Sequence, residues 1–144
     1  YILGNRKSYL EFYDVVKEKD EQYNQLLGAL SKVQDNYNHL EDIVPSEAWY
    51  EHLLTVTAYK GGKANADADM EKMLTDSIRV YGEHAVTLPL LSAEEKAEKI
   101  AITMEYTDGL IEKGGISTDV FKKELGEETT KDFFDKVFFG TATK

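Results

Sequence analysis

Apolar and aromatic residues recur through the first forty positions in alternating steps of three and four. Tyr9, Phe12, Val16, Tyr23, Leu26, Leu30, Val33, Tyr37 and Leu40 all fall on this seam, with Lys19 as its polar member. Such a 3.5-residue repeat is the mark of a heptad helix. It predicts one helix from about residue 6 to about residue 42, stopped because Pro45 disfavours helical geometry at Val44. At 1.5 Å per residue that helix would be on the order of 50 Å long, more than a compact domain of this size requires. Tyr13 and Val15 near its start, and Leu27 and Ala29 in its middle, widen the stripe, as suits a helix with several neighbours. Gly28 interrupts it at a cost of about 1 kcal/mol and marks a bend.

Five shorter helices are predicted beyond Pro45. Ser46 caps one over 46–60, with Trp49, Leu53 and Val56 on one face and Gly61-Gly62 at its end. The next covers 65–81, with Met70, Met73, Leu74, Ser77 and Tyr81 inward and Gly82 as its stop. An apolar loop over 83–91 is expected to pack down. Ser92 and Glu95 form a capping box for a helix over 93–113, which places Ala97, Ile100, Met104 and Ile111 inward and ends at Gly114-Gly115. Helices over 118–125 and 129–139 follow, the last strongly apolar through Phe133, Phe134, Val137 and Phe138. No segment of period-two alternation stands out. The expected fold class is therefore all-α: a single domain over 1–144, a bundle of about six helices led by a long heptad-patterned helix.

Composition narrows the function more than the fold. The 144 residues carry a net charge of −10, no Cys and 42% hydrophobic positions. That is too apolar for a disordered chain. Without Cys, disulfides, thiolate metal sites and cysteine nucleophiles are excluded. The charge is spread evenly, 13 acids against 8 bases in residues 1–72 and 14 against 9 in 73–144, so each half carries −5. With no basic lobe, direct nucleic-acid binding is not expected. No apolar run reaches the roughly 18–20 residues that span a bilayer, and no signal-peptide core opens the chain, so a cytoplasmic location without membrane contact is expected. The chain opens at Tyr1 with the heptad almost at once, as expected of a piece trimmed from a longer protein.

Most candidate chemistries fail on spacing. Glu94, Glu95, Glu98, Glu105 and Asp108 contain E-E-x-x-E and E-x-x-D, the carboxylate pairs of Mg²⁺-dependent all-α hydrolases. Here both fall on one helix, and carboxylates strung about 16 Å along one rod do not converge on an ion. Arg79 and His84 stand in an R-x₄-H arrangement that would suit phosphate chemistry, but Gly82 is expected to end the helix between them. An EF-hand alignment across 108–125 places Gly109, Ile111 and Lys113 where oxygen ligands belong and Val120 at the bidentate position. A helix-turn-helix over 118–139 would set acids against the duplex. His39, His52 and His84 form no metal-binding pair at helical spacing, and no P-loop or nucleophile elbow is present.

What remains is aromatic. Nine Tyr, six Phe and one Trp are many for this length, and tyrosine gives contact area with few rotors and a polar tip. The candidate binding residues are Tyr9, Phe12, Tyr13, Tyr23 and Tyr37 on the long helix and Trp49 and Tyr50 on the second. The expected function is a non-catalytic helical binding or regulatory module. It would use no cofactor and no metal, and would engage a protein partner or a small ligand, with self-association as a dimer through the long helix. Two alternatives stand behind it: an acidic inhibitor that mimics nucleic-acid charge, and an all-α hydrolase using Mg²⁺ on the Glu94–Asp108 carboxylates or using Arg79 and His84.

Overall fold

The computed structural model describes residues 6–142. It is a mixed α/β fold, not an all-α bundle, and residues 6–40 form no single helix. The chain divides into two compact units: one holds the chain to Asp14 and then Glu18–Leu90, the other Val15–Lys17 and the chain from Leu91 onward. Among the described residues no helix is long and apolar enough to cross a membrane.

In the first unit the expected heptad seam is cut into a strand, a linker, a helix and a turn. Strand β1 is Lys7–Tyr13, and its burial alternates, with Ser8 and Leu10 covered while Lys7 and Tyr9 are exposed. Helix α1 begins only at Glu21, because Asp20 adopts an extended backbone and its carboxylate accepts the Tyr23 amide at 2.7 Å. Lys19, the polar seam residue, lies before this cap and pairs with Asp14 at 2.5 Å. At the other end α1 stops at Asp35, with Asn36 as its cap. The run Asp35-Asn36-Tyr37-Asn38-His39 is rich in side chains that compete with helical hydrogen bonding. Tyr37 and Leu40 are buried as the seam implies, but from a turn closed by the Leu40 amide donating to the Tyr37 carbonyl at 3.0 Å.

The helix expected over 46–60 is also absent. Residues 51–53 make one short 3₁₀ turn, and strand β3 occupies Leu54–Gly61. Its sequence Leu-Thr-Val-Thr-Ala-Tyr-Lys carries three consecutive β-branched residues, which fit a pleated surface better than a helix. The two-residue strand β2, Glu41–Asp42, completes an antiparallel sheet of order β1-β3-β2. Gly61 and Gly62 serve close approach and do not cap a helix. A Cβ on Gly61 would sit 2.8 Å from the Ile43 methyl, and one on Gly62 would sit 2.7 Å from Ala66. Helix α2 spans Asp67–Ala85 and runs through Gly82, whose surroundings are open. Helices α1 and α2 cover one face of the sheet, where Leu10, Val33, Tyr37, Leu40, Ala58, Met70 and Met73 form the main core and Leu26, Leu30 and Val56 extend it.

The second unit is helical. Helix α3, Ala93–Lys113, opens on the reciprocal capping box, with the Glu95 amide donating to Ser92 Oγ at 3.2 Å and the Ser92 amide donating to the Glu95 carboxylate at 2.7 Å. It closes at Gly114, whose φ of 75° favours glycine. Helix α4, Ile116–Leu125, and helix α5, Glu127–Phe133, meet at Gly126, and α5 continues into a π turn over Phe134–Phe138. Phe121 packs on Phe133, Phe134 and Phe138, with ring centroids 5.7–5.9 Å apart. The fully buried Thr107 and Thr130 direct their hydroxyls to the Thr103 and Gly126 carbonyls.

Candidate functional site

In the first unit the two faces of the sheet differ. Leu10 and Phe12 of β1 and Val56 and Ala58 of β3 point into the core beneath α1 and α2, so Tyr9 and Glu11 of β1 and Thr57 and Tyr59 of β3 share the opposite face, which Tyr13 joins through its hydroxyl on Glu11. The antiparallel register sets Tyr9 opposite Tyr59 and Glu11 opposite Thr57. The register shifts between Phe12 and Tyr13, leaving Tyr13 opposite Leu54. A break of this kind bends a strand and re-aims its side chains. The turn before β3 then adds Trp49 and Tyr50; it is tied to the end of β1 by the Asp14 amide, which donates to the Leu53 carbonyl at 2.7 Å.

The rings form a row. Tyr9 and Tyr59 lie 5.9 Å apart, Tyr13 and Tyr50 5.8 Å, and Trp49 meets Tyr50 edge-on at 5.3 Å. Glu11 ties the row together, because the Tyr13 hydroxyl donates to one of its oxygens at 2.8 Å and the Tyr59 hydroxyl donates to the other at 3.1 Å. Burial, reinforced by the Glu11 carboxylate, pushes the Tyr59 phenol up to about 12. A phenol so high stays protonated near neutral pH. It can hydrogen-bond and offer a ring face, but it does not serve as a base. Tyr9 is 42% exposed and the other rings of the row are half-buried.

No protein-family model and no curated protein matches the chain. The chemistry of this surface is what speaks to its role.

The structure brings together four of the seven expected binding residues, Tyr9, Tyr13, Trp49 and Tyr50, and scatters the other three. Phe12 lies on the core side of β1, stacked on Tyr81 at 5.7 Å. Tyr23 sits in the first turn of α1, its hydroxyl donating to Asp14 at 3.1 Å. Burial first, and then Asp14, raises its phenol well above the ordinary range. Tyr37 is buried in the core and donates to Asp76 at 2.7 Å. The Lys72 ammonium and the Tyr37 hydroxyl in turn hold the Asp76 carboxyl below its ordinary value. Glu11 and Tyr59 were not expected as site residues. Their signal was the out-of-phase placing of Tyr59 against Val56 and Ala58, which is visible only once 54–60 is read as a strand.

Of the residues of the hydrolase alternatives, Glu95, Glu98, Asp108 and Arg79 are engaged in other contacts. Glu95 closes the capping box, Glu98 pairs with Lys17 at 3.0 Å, and Asp108 pairs with Lys131 at 2.5 Å. Glu94 and Glu105 are exposed on α3. Helix α2 does not end between Arg79 and His84, and Arg79 is turned to Glu83 at 3.1 Å and to Asp76 at 3.7 Å. Among the described residues no group of three or more His, Asp and Glu side chains is arranged to hold a metal ion.

Proposed function

We propose that the chain is a non-catalytic binding module that engages a protein partner through the tyrosine face of its small sheet. The observation that carries this reading is the row Tyr9, Tyr59, Tyr13, Tyr50 and Trp49, set on the side of the sheet away from α1 and α2 and braced by Glu11. Tyrosine and tryptophan side chains bury large areas for few frozen rotors, so a pre-set row of them loses little entropy on contact. Aromatic residues are enriched at the centres of interfaces, where a few of them carry most of the binding energy. The row opens to solvent at Tyr9, 42% exposed, which suits a protein surface more than a small molecule needing enclosure.

The test is selection of binders from a displayed library of folded protein fragments, using the full chain as bait. Binders should emerge whose complex changes the emission of Trp49, the chain's single Trp. A Tyr9→Ser/Trp49→Ser variant that keeps its fold should bind them about a hundredfold more weakly, the loss of two interface anchors. Undiminished binding by that variant would place the interface elsewhere.

A further inference from the structure

Strand β1 is one margin of the sheet, and its pairing with β3 fixes which way its backbone faces. The Ile43 amide donates to the Tyr59 carbonyl at 3.1 Å, so the Tyr59 backbone faces the β2 side. Opposite residues of an antiparallel pair alternate between bonded and non-bonded, so Tyr9, set against Tyr59, makes no ladder bond to β3. Its N–H and C=O point outward, and by the period of two so do those of Lys7 and Glu11. The register shifts only beyond Phe12, so it runs unbroken past all three residues. No strand lies on that outer side among the described residues. Lys7, Tyr9 and Glu11 therefore hold out free donors and acceptors, the template for one more strand.

The side chains of the same three residues say which strand fits. They stand on one face, with Lys7 and Tyr9 exposed and Glu11 half-buried. Glu11 accepts two phenols, yet neither it nor Lys7 has an ion pair among the described residues. A carboxylate offers about four lone-pair sites, so Glu11 keeps room for a cation. A second copy laid antiparallel, with the two-fold axis through Tyr9, sets each Lys7 directly opposite the other copy's Glu11. Opposite charges so placed stabilise a strand pair, and like charges destabilise it. An axis through Lys7 or Glu11 would set like charges face to face, and one through Ser8 or Leu10 would set a charge against Tyr9. The edge is thus complementary to itself, in backbone and in charge, at one register.

We infer that the chain pairs with a second copy of itself along the outer edge of β1, with Tyr9 on the two-fold axis and Lys7 against the second copy's Glu11. Each bonded pair of residues exchanges two main-chain hydrogen bonds. Pairing of this kind draws affinity from the backbone and specificity from alternate side chains, and a two-fold contact needs just such a self-complementary patch. Opposed residues of an antiparallel pair point to the same side, so the two small sheets become one and their tyrosine rows share a face. The inference does not rest on that face as a binding surface, since the backbone edge and the Lys7–Glu11 match carry it.

Sedimentation velocity of the full chain across a concentration series, joined to amide hydrogen exchange, tests it. The expected result is a reversible monomer–dimer equilibrium in which the Lys7, Tyr9 and Glu11 amides exchange more slowly as concentration rises. The Ser8 and Leu10 amides, already bonded to β3, should change little. Lys7→Glu sets like charges opposite at both symmetric places and should raise the dimer Kd about tenfold. The chain has no Cys, so Tyr9→Cys carries a single thiol. Bonded antiparallel pairs hold their Cα atoms about 5.5 Å apart, within disulfide reach, so this variant should oxidise to a covalent dimer. Lys7→Cys would lie about 14 Å from its mate and should stay uncrosslinked. A monomer at every concentration would overturn the inference, as would slowed amides confined to other residues. Equal crosslinking of the two cysteine variants, or an unchanged Kd for Lys7→Glu, would overturn it too. None of these results bears on the selection of protein binders, so the tyrosine face stands or falls separately.

Discussion

Leu30 and Tyr9 lie on the same three-and-four seam of the sequence, and a heptad helix would bury them alike. The fold separates them: Leu30 is 1% exposed between Leu26 and Val56, whereas Tyr9 is 42% exposed on the sheet's outer face. Leu30→Ala removes three carbons from a fully packed site and leaves a cavity that α1 cannot close without moving off β3. The loss of transfer free energy plus the cavity comes to about 3 kcal/mol, within a usual range of about 2–5. For a unit of this size it lowers the melting midpoint by about 12–24 °C. Tyr9→Ser loses a ring contact with Tyr59 at the surface and should cost about 1 kcal/mol. Urea unfolding followed through Trp49 reports on this unit, because the only Trp lies within it. Equal losses for the two variants, or a Leu30→Ala loss under about 1 kcal/mol, would refute the placing of α1 over the sheet.

Gly28 lies mid-way along α1 with nothing within 4 Å of where an alanine methyl would sit, so Gly28→Ala should raise stability by about 0.5–1 kcal/mol in the same urea assay. Ser92→Ala breaks the capping box and should destabilise the helical unit by about 1 kcal/mol. The Glu95 carboxyl, held low by the Ser92 hydroxyl and amide, should rise toward its ordinary value in the same variant, as read by carbon NMR. Tyr59 has a raised folded-state pKa, so its contribution to stability is complete below the ordinary phenol value of 10.0 and is lost as pH climbs toward about 12. Urea midpoints measured from pH 9 to 12 should therefore fall, and Tyr59→Phe should make the fall shallower; an equally steep decline in the variant would refute the raised Tyr59 phenol.

Local chemistry was legible in the sequence where a single element decides it. The Ser92–Glu95 box and Gly114 bound α3 through contacts within a few residues, and the apolar spacing of Met70, Met73 and Ser77 places the inner face of α2. The first sixty residues resisted the same reading because their pattern is non-local. A strand and a helix joined in sequence both bury Leu10, Leu26, Leu30 and Val33, and steps of three and four bridge the join by coincidence. Ser8 and Lys60 hid the alternation further, since both are polar in sequence and buried in the sheet, Lys60 through its pair with Asp42. The aromatic face was legible as composition. Its membership depended on register, which sets Tyr59 beside Tyr9 across fifty residues of chain and gives Glu11 two phenols to accept.

The tyrosine face is tested most directly by replacing every tyrosine with 3-fluorotyrosine, assigning the fluorine resonances by single Tyr→Phe variants, and adding a saturating selected protein binder. The resonances of Tyr9, Tyr13, Tyr50 and Tyr59 should shift or broaden together, while those of Tyr23 and Tyr37, engaged with Asp14 and Asp76, stay in place. Movement of Tyr23 or Tyr37 with Tyr9 and Tyr59 unchanged would contradict the account.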